Sequence, residues 1–274
     1  DHDADVDVVT GIGGITPEDS QEDDEVTAWL NLGTPFSSNW TRLSVGDAGD
    51  GTTCDLAVGD LDNDGDMDVA TVNALWSDDQ VTAWANGMAP HQGLYTGDAF
   101  TLGVADSPVY AVATGDLDRD GDLDLVSDGL VAWQNPSPNS LPSSWVSATL
   151  GADTRAQVIA TGDIDRDGDL DVIASGAFGL ALWQNPWDGG GGAPFGTWTV
   201  SQVLTTAQIV NAVAVADLDH DGWLDVAAAR GYDASTGWLC TWQNPHTFTG
   251  PWSSNVLTSA KGIRSVTAGD LDRD

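Results

Sequence analysis

Short runs of alternating hydrophobic and polar residues recur along the whole chain, about four of them in every fifty residues. The runs are rich in β-branched, aromatic and small apolar residues, as in VYAVATG, LDVIAS and TWTVSQVL, and Gly, Asn or Pro bounds them. An alternation of period two between turn residues predicts β-strands rather than helices. We therefore expect an all-β fold with four short strands per period, which we name strands a to d.

An aspartate-rich segment separates strands a and b in every period. Its complete copies are GDLDNDGDMDVA from Gly59, GDLDRDGDLDLV from Gly115, GDIDRDGDLDVI from Gly162 and ADLDHDGWLDVA from Ala216, and partial copies begin at Asp1 and Gly269. Equivalent aspartates are 61, 56, 47, 54 and 53 residues apart. These intervals divide a single region, 1–274, into repeats at approximately 1–61, 62–117, 118–164, 165–218 and 219–271. Because both ends fall within a motif, we expect a fragment of a larger protein.

Two aromatic positions also recur in each period. Strand c carries Trp29, Trp84, Trp133, Trp183 or Trp242, and strand d begins near Trp40, Phe100, Trp145, Trp198 or Trp252. Such regular placement predicts packing in a repeated core. Four-stranded repeats of about fifty residues are typical of a β-propeller, in which each repeat forms one blade. The predicted fold is thus a propeller of four-stranded blades, with about five blades in this chain.

The aspartate segments have the composition of a calcium site. Each complete copy reads D-x-D-x-D-G-x-x-D, and we number its residues 1 to 9 from the first Asp. Calcium takes six to eight oxygen ligands, mainly carboxylates and carbonyls. Aspartates at positions 1, 3, 5 and 9 would supply carboxylates, position 7 a backbone carbonyl, and Gly at position 6 a bend with positive φ. So many neighbouring carboxylates repel one another unless a cation offsets their charge.

The motif is not that of an EF-hand, because position 12 is Thr71, Ser127, Ala174 or Ala228 instead of Glu and the flanking segments are strand-like. It resembles instead the FG-GAP/VCBS repeat family, known from integrin α-subunit propellers and secreted bacterial proteins. The resemblance implies a calcium-bound propeller whose metal loop joins strands a and b. It also implies a ring of seven blades, so that further blades or domains would lie outside this chain.

The resemblance assigns ligands by position. The complete sites are Asp60, Asp62, Asp64, Asp66 and Asp68; Asp116, Asp118, Asp120, Asp122 and Asp124; Asp163, Asp165, Asp167, Asp169 and Asp171; and Asp217, Asp219, Asp221, Trp223 and Asp225, with the carbonyl of the fourth residue in each set as ligand. Partial sites are expected at Asp1, Asp3, Asp5 and Asp7, where Ala4 replaces the glycine, and at Asp270, Asp272 and Asp274.

The charge composition of the chain narrows the classes of partner that it can be expected to bind. The chain has 43 acidic residues against 8 Lys and Arg, a formal net charge of −35, and 40 of the acids are Asp. Such a surface excludes nucleic acid and anionic membranes as partners. No apolar run is long enough to span a bilayer, so membrane insertion is not expected. Cys54 and Cys240 have no metal-site spacing and are expected to be separate thiols, although a disulfide between them stays open.

The expected function is recognition of a protein or glycan outside the cell or at its surface, with calcium in a structural role and no catalytic residues. The b–c connections vary most in length, and variable loops on a rigid scaffold commonly bind ligands. They place candidate contacts in or beside two expected loops, 73–80 and 230–237, at Trp76, Asp78, Asp79, Tyr232, Asp233 and Trp238. Two alternatives stay open: a propeller-type polysaccharide-degrading enzyme resembling a lyase, and a passive spacer in a large surface protein.

Overall fold

Every regular element in the described part of the computed structural model is a β-strand. That part comprises residues 7–11, 25–31, 40–47, 52–74, 79–86, 99–105, 109–127, 129–136, 145–151, 156–176, 179–187, 196, 198–205, 209–233, 236–260 and 262–269. Within these ranges there is no helix, and accordingly none that is long and apolar enough to cross a membrane.

Among the described residues, nineteen strands form five sheets, each built from strands consecutive in the chain. The first sheet contains β1 (Val8–Gly11), β2 (Glu25–Asn31) and β3 (Trp40–Asp47). The second contains β4 (Thr52–Gly59), β5 (Asp68–Ala74), β6 (Asp79–Trp84) and β7 (Ala99–Ala105). The third contains β8 (Val112–Gly115), β9 (Asp124–Ser127), β10 (Val131–Gln134) and β11 (Val146–Thr149). The fourth contains β12 (Val158–Gly162), β13 (Asp171–Gly176), β14 (Gly179–Gln184) and β15 (Thr199–Thr205). The fifth contains β16 (Val210–Ala216), β17 (Asp225–Asp233), β18 (Thr236–Gln243) and β19 (Ser253–Ser259).

This topology confirms the predicted all-β fold class of four-stranded blades. In sheets two to five the strands are a, b, c and d in chain order, and the first sheet consists of strands b, c and d. The strand pairings that have a defined register are antiparallel, such as β12 with β13 and β13 with β14. The predicted aromatic positions are also confirmed: the strand c tryptophan lies opposite a strand b valine, as in the Trp183–Val172 and Trp242–Val226 pairs.

The chain divides into two compact units. One comprises Asp1–Thr114, Gly121–Ser127 and Asn135–Val146, and the other comprises Gly115–Asp120, Asp128–Gln134 and Ser147–Asp274. In the first unit, Val26, Ala28, Val45, Val69 and Trp84 form one buried cluster. In the second, the fourth and fifth sheets share a larger core of Ile164, Ile173, Leu180, Leu182, Val210, Val226, Ala228, Cys240, Trp242 and Phe248. Each core thus lies between neighbouring sheets, as stacked blades require. Cys240 is buried and Cys54 is partly buried, and the two are not joined by a disulfide.

The glycine before an aspartate loop lets the next loop approach closely. A Cβ atom on Gly59 would lie 2.6 Å from Leu123 Cδ1, and one on Gly115 would lie 2.6 Å from Leu170 Cδ1. Both leucines occupy position 8 of the following loop. The repeated Gly-Asp pair therefore marks the place where the end of strand a is covered by the next aspartate loop.

Candidate metal centres

The four complete aspartate loops connect strand a to strand b in sheets two to five. In each loop the carboxylates of positions 1, 3 and 9 converge, so that one oxygen from each lies within 4.8 Å of the other two. The triads are Asp60, Asp62 and Asp68; Asp116, Asp118 and Asp124; Asp163, Asp165 and Asp171; and Asp217, Asp219 and Asp225. The sequence predicted these residues as ligands, and the structure brings them together.

The loop conformation follows from hydrogen bonds between aspartate side chains and nearby backbone amides. In the 60–68 loop, Asp62 Oδ1 accepts from the Asp64 amide at 3.2 Å, and Asp64 Oδ1 accepts from the Asp66 amide at 2.8 Å. Asp60 Oδ2 accepts from the Gly65 amide at 3.1 Å. Gly65 has φ of 95°, and the equivalent Gly121, Gly168 and Gly222 have φ between 89° and 96°. The predicted positive φ at position 6 is confirmed, and this backbone strongly favours glycine.

Position 9 ties the loop to the turn after strand c. Asp171 Oδ2 accepts from the Ile164 amide at 3.0 Å, while Asp171 Oδ1 accepts from the Asn185 amide at 2.9 Å. Asp68 and Asp225 make the same two contacts in their own sheets. Asp7, from the partial first copy, accepts from the Asn31 amide at 2.8 Å. The position 9 side chain is therefore a structural link as well as a candidate ligand.

Burial, together with repulsion from neighbouring aspartates, raises the pKa of carboxylates at positions 3 and 9, including Asp165 at position 3 and Asp68 and Asp171 at position 9. Burial is the main cause that raises the pKa of Asp68 to about 7 and that of Asp171 to about 8, and neighbouring aspartates raise both further. Burial and then the charge of Asp167 likewise raise the pKa of Asp165. A bound cation would favour the ionised forms and offset this cost.

Two oxygens provide a test of whether the residues fit a metal. Asp60 Oδ1 and Asp163 Oδ1 are buried and have no hydrogen-bond partner in the described part of the chain. Each belongs to a position 1 carboxylate of a triad. A buried carboxylate oxygen without a donor is costly, and a cation would satisfy it. Every metal ligand that the triads offer is a carboxylate oxygen, the type of ligand that hard cations such as calcium prefer. The residues thus fit a divalent hard cation.

The side chains at positions 5 and 7 are not members of the converging triads in the described part of the chain. The position 5 side chains hold the bend, as Asp167 Oδ1 does by accepting from the Asp169 amide at 2.9 Å. Position 5 is absent from the converging groups formed by the described residues. At position 7, Asp66, Asp122 and Asp169 are buried. In the 217–225 loop, Trp223 at position 7 stacks on His246 with ring centroids 5.2 Å apart. The His246 imidazole hydrogen-bonds to Asp221 Oδ2 at 2.6 Å and lowers the pKa of that carboxyl.

The asparagine that ends strand c was missed as a site residue. Asn185 Nδ2 donates to the carbonyl of Leu117 in the preceding loop at 2.8 Å and to that of Leu170 in its own loop at 3.0 Å. Asn135 and Asn244 bridge successive loops in the same way. The preceding glutamine reaches position 3, as Gln184 Nε2 does to Asp165 Oδ2 at 2.6 Å. The Gln-Asn-Pro sequence recurs at 134–136, 184–186 and 243–245, and its repetition after the Asp motif was the signal of this contact.

The remaining predicted residues are only partly described. Asp1, Asp3, Asp5, Asp270, Asp272 and Asp274, together with Trp76 and Asp78, lie outside the described residues. Asp79, Tyr232 and Asp233 lie within strands, but their side chains are outside the described part. Trp238 is 37% exposed, and the Arg230 guanidinium lies 5.6 Å from its ring. The expected loop at 230–237 is largely a hairpin, because Asp233 pairs with Thr236.

Comparison with known proteins adds two findings. Residues 217–274 match the model of the FG-GAP-like repeat. A solved structure described as that of an Agrocybe aegerita lectin that recognises non-reducing terminal N-acetylglucosamine is 14% identical, with a TM-score of 0.41 over 84% of this chain and 74% of that one. No curated protein matches the chain. The resemblance predicted from the aspartate motif is therefore confirmed for the last repeat, residues 217–274, which contains the 217–225 loop.

Proposed function

We propose that the chain is a calcium-stabilised recognition module that works outside the cell or at its surface. The observation that carries the calcium assignment is the convergence of three carboxylates in each of four equivalent loops, within 4.8 Å in every case. In each loop, positions 1, 3 and 9 would hold the ion. Calcium suits an all-oxygen site of this kind better than magnesium, which demands stricter octahedral geometry and keeps more of its water.

The proposed role of calcium is structural. When bound, the ion supplies positive charge that offsets the carboxylates. The protein's own residues do the rest: position 9 holds the backbone of its loop and of the strand c turn, and the asparagine at that turn bonds to two successive loops. A loop ordered by calcium would thereby secure contacts between neighbouring blades. Extracellular calcium modules bind at about 10⁻⁴–10⁻³ M, a range that fits the proposed location.

Calorimetric titration of the calcium-free protein tests this assignment directly. We expect about four sites with dissociation constants of about 10⁻⁴–10⁻³ M. Asp163→Asn removes the carboxylate whose Oδ1 is buried without a partner and should eliminate or weaken one site. Asp153→Asn is the control, because it makes the same charge change outside the loops. Absence of calcium binding by the wild-type protein would contradict the proposal, as would an unchanged number of sites and affinities in D163N.

For recognition, we propose the b–c side of the fifth blade, with Trp238 as a ligand contact. Trp238 exposes an aromatic surface, and the adjacent Arg230 offers a cation that could pair with a polar or acidic group. Trp76, Asp78, Asp79, Tyr232 and Asp233 remain the other proposed contacts. Trp238→Ala should abolish binding in a glycan or protein array at millimolar calcium, whereas Leu257→Ala, at another exposed apolar residue, should not. Retained binding by W238A would contradict this location.

A further inference from the structure

Position 4 of the aspartate loops has an unusual backbone. Asn63, Arg119, Arg166 and His220 have φ of 54°, 56°, 60° and 60°. This left-handed conformation is easy for Asn but costs other residues about 1 kcal/mol or more. Its recurrence at four equivalent positions means that the loop fold imposes it whichever side chain is present. Position 4 can therefore vary while its place in the loop stays fixed.

The Arg119 side chain crosses from its own loop to the next one. Arg119 Nε donates to the Gly168 carbonyl at 2.8 Å and lies 2.6 Å from Asp169 Oδ1. Arg119 Nη2 donates to the Asp167 carbonyl. The guanidinium thus contacts positions 5, 6 and 7 of the 163–171 loop. A full positive charge from one loop is placed against the candidate metal site of its neighbour.

The position 4 residues of two other loops also reach the following loop, but their side chains differ in charge or in the residue they contact. Asn63 Nδ2 donates to Asp122 Oδ1 and to the Gly121 carbonyl, so the 116–124 loop receives a neutral amide. The Arg166 guanidinium lies 5.5 Å from the centre of the Trp223 ring, so the 217–225 loop receives a second arginine. That loop also has Trp in place of Asp at position 7. The three receiving loops therefore differ in net charge although their triads are the same.

We propose that the position 4 side chain of each loop sets the calcium affinity of the following loop, so that the sites fill in a graded order. This inference rests on the proposed calcium function. The 116–124 loop, next to Asn63, binds most tightly, the 163–171 loop, next to Arg119, binds less tightly, and the 217–225 loop, next to Arg166 and with one carboxylate fewer, binds most weakly. Arg119 acts as an internal counter-charge that stabilises the empty loop and competes electrostatically with the ion.

The sign of the effect separates this proposal from a simpler structural role. An arginine that only held the loop in shape would raise calcium affinity, and its removal would lower it. A counter-charge opposes the ion, so its removal raises affinity while it destabilises the calcium-free protein. Because the Arg119 side chain is 44% exposed, its charge is screened by water. At a water-like dielectric constant of about 80, one charge about 6–12 Å from a divalent ion changes affinity by about three- to tenfold. Added salt should reduce this change.

A reciprocal exchange tests the proposal, and a further Asn variant controls for the preference of Asn for the left-handed backbone of position 4. Arg119→Asn gives the 163–171 loop the neutral neighbour of the 116–124 loop, and Asn63→Arg does the reverse. His220→Asn, at position 4 of the 217–225 loop, is the matched control. The full chain is labelled with ¹⁵N-glycine and titrated with calcium, and the amide signals of Gly121, Gly168 and Gly222 report on the three receiving loops separately. Thermal unfolding in EDTA gives the stability of the calcium-free protein.

We expect the midpoint at Gly168 to fall about three- to tenfold in R119N and the midpoint at Gly121 to rise similarly in N63R, with neither moved in H220N. R119N should also melt at a lower temperature in EDTA. A Gly168 midpoint that is unchanged or higher in R119N would overturn the graded order while leaving calcium binding intact. No calcium response at any of these glycines in the wild-type chain would overturn both the inference and the proposed function.

Discussion

The position 9 aspartate shows how one side chain can serve both the fold and the metal. Asp171 is fully buried and accepts backbone amides from two different turns. Burial raises its pKa to about 8, so ionisation of this side chain at neutral pH is unfavourable in the calcium-free loop. The same carboxylate is in the triad with Asp163 and Asp165. A bound cation would therefore offset the cost of ionising this buried acid.

Removal of this acceptor should destabilise the protein even without calcium. Asp171→Ala leaves the amides of Ile164 and Asn185 buried without their acceptor, at about 1–3 kcal/mol for each. Urea unfolding in EDTA should show a loss of about 2–6 kcal/mol. The control, Asp167→Ala, removes an exposed acceptor in the same loop and should cost about 1 kcal/mol. Equal losses in the two variants would contradict the structural role of Asp171.

Asp55 provides a pH-dependent test outside the metal loops. Its Oδ2 accepts from the Val112 amide at 3.1 Å, and burial raises its pKa above the ordinary value of 3.8. An acid with a raised pKa in the folded state stabilises the fold below about pH 4, and this contribution is lost as pH rises through the folded pKa.

Asp55→Asn should therefore gain stability relative to wild type as pH rises from about 4 to 7, because the amide cannot ionise and its oxygen can still accept from Val112. The measurement is the difference between the two free energies of unfolding at each pH in EDTA. Subtracting the free energy of unfolding of the wild type from that of D55N removes the contribution that the other acids make to both. A difference that does not vary with pH, or that favours wild type as pH rises, would contradict the environment described for Asp55.

At the scale of elements, the blade pattern was readable from the sequence because each strand has its own local signal. Alternation and turn residues predicted strands a to d, and glycine at position 6 predicted the bend. The crossing of Arg119 to the next loop and the bridging by Asn185 were not predicted, since they join residues 49 and 68 positions apart. Such contacts depend on how neighbouring sheets stack. The hairpin at 230–237 was also missed, because GYDASTG reads locally as a loop.

The asparagine bridge between loops gives an element-scale prediction. Asn185→Ala removes two hydrogen bonds to the carbonyls of Leu117 and Leu170 and should cost about 1–3 kcal/mol. The loss should be present both with and without calcium, because Asn185 contributes only its backbone amide to the triad residue Asp171. Asn255→Ala, at an exposed residue of β19, is the control and should have little effect. Stability of N185A equal to that of N255A would contradict the bridge.

For the whole molecule, the dominant physical fact is a net charge of −35 in 274 residues. Much of this charge is concentrated in four loops whose carboxylates converge. Self-repulsion of this size weakens a compact state, and bound divalent cations reduce it where it is greatest. In the proposed function, calcium is a component of the fold, and ligand recognition takes place on surfaces away from the triads.

The most direct test of this account is thermal unfolding of the intact chain in EDTA, in millimolar calcium and in millimolar magnesium. At about 1 mM, ions that bind only the folded form with dissociation constants of about 10⁻⁴–10⁻³ M add about 0.4–1.4 kcal/mol per site, or about 2–6 kcal/mol for four sites. We expect calcium to raise Tm by about 5 to 20 °C over EDTA and magnesium to raise it much less. The same Tm in calcium and in EDTA would contradict the central claim that the aspartate loops are calcium sites that stabilise the fold.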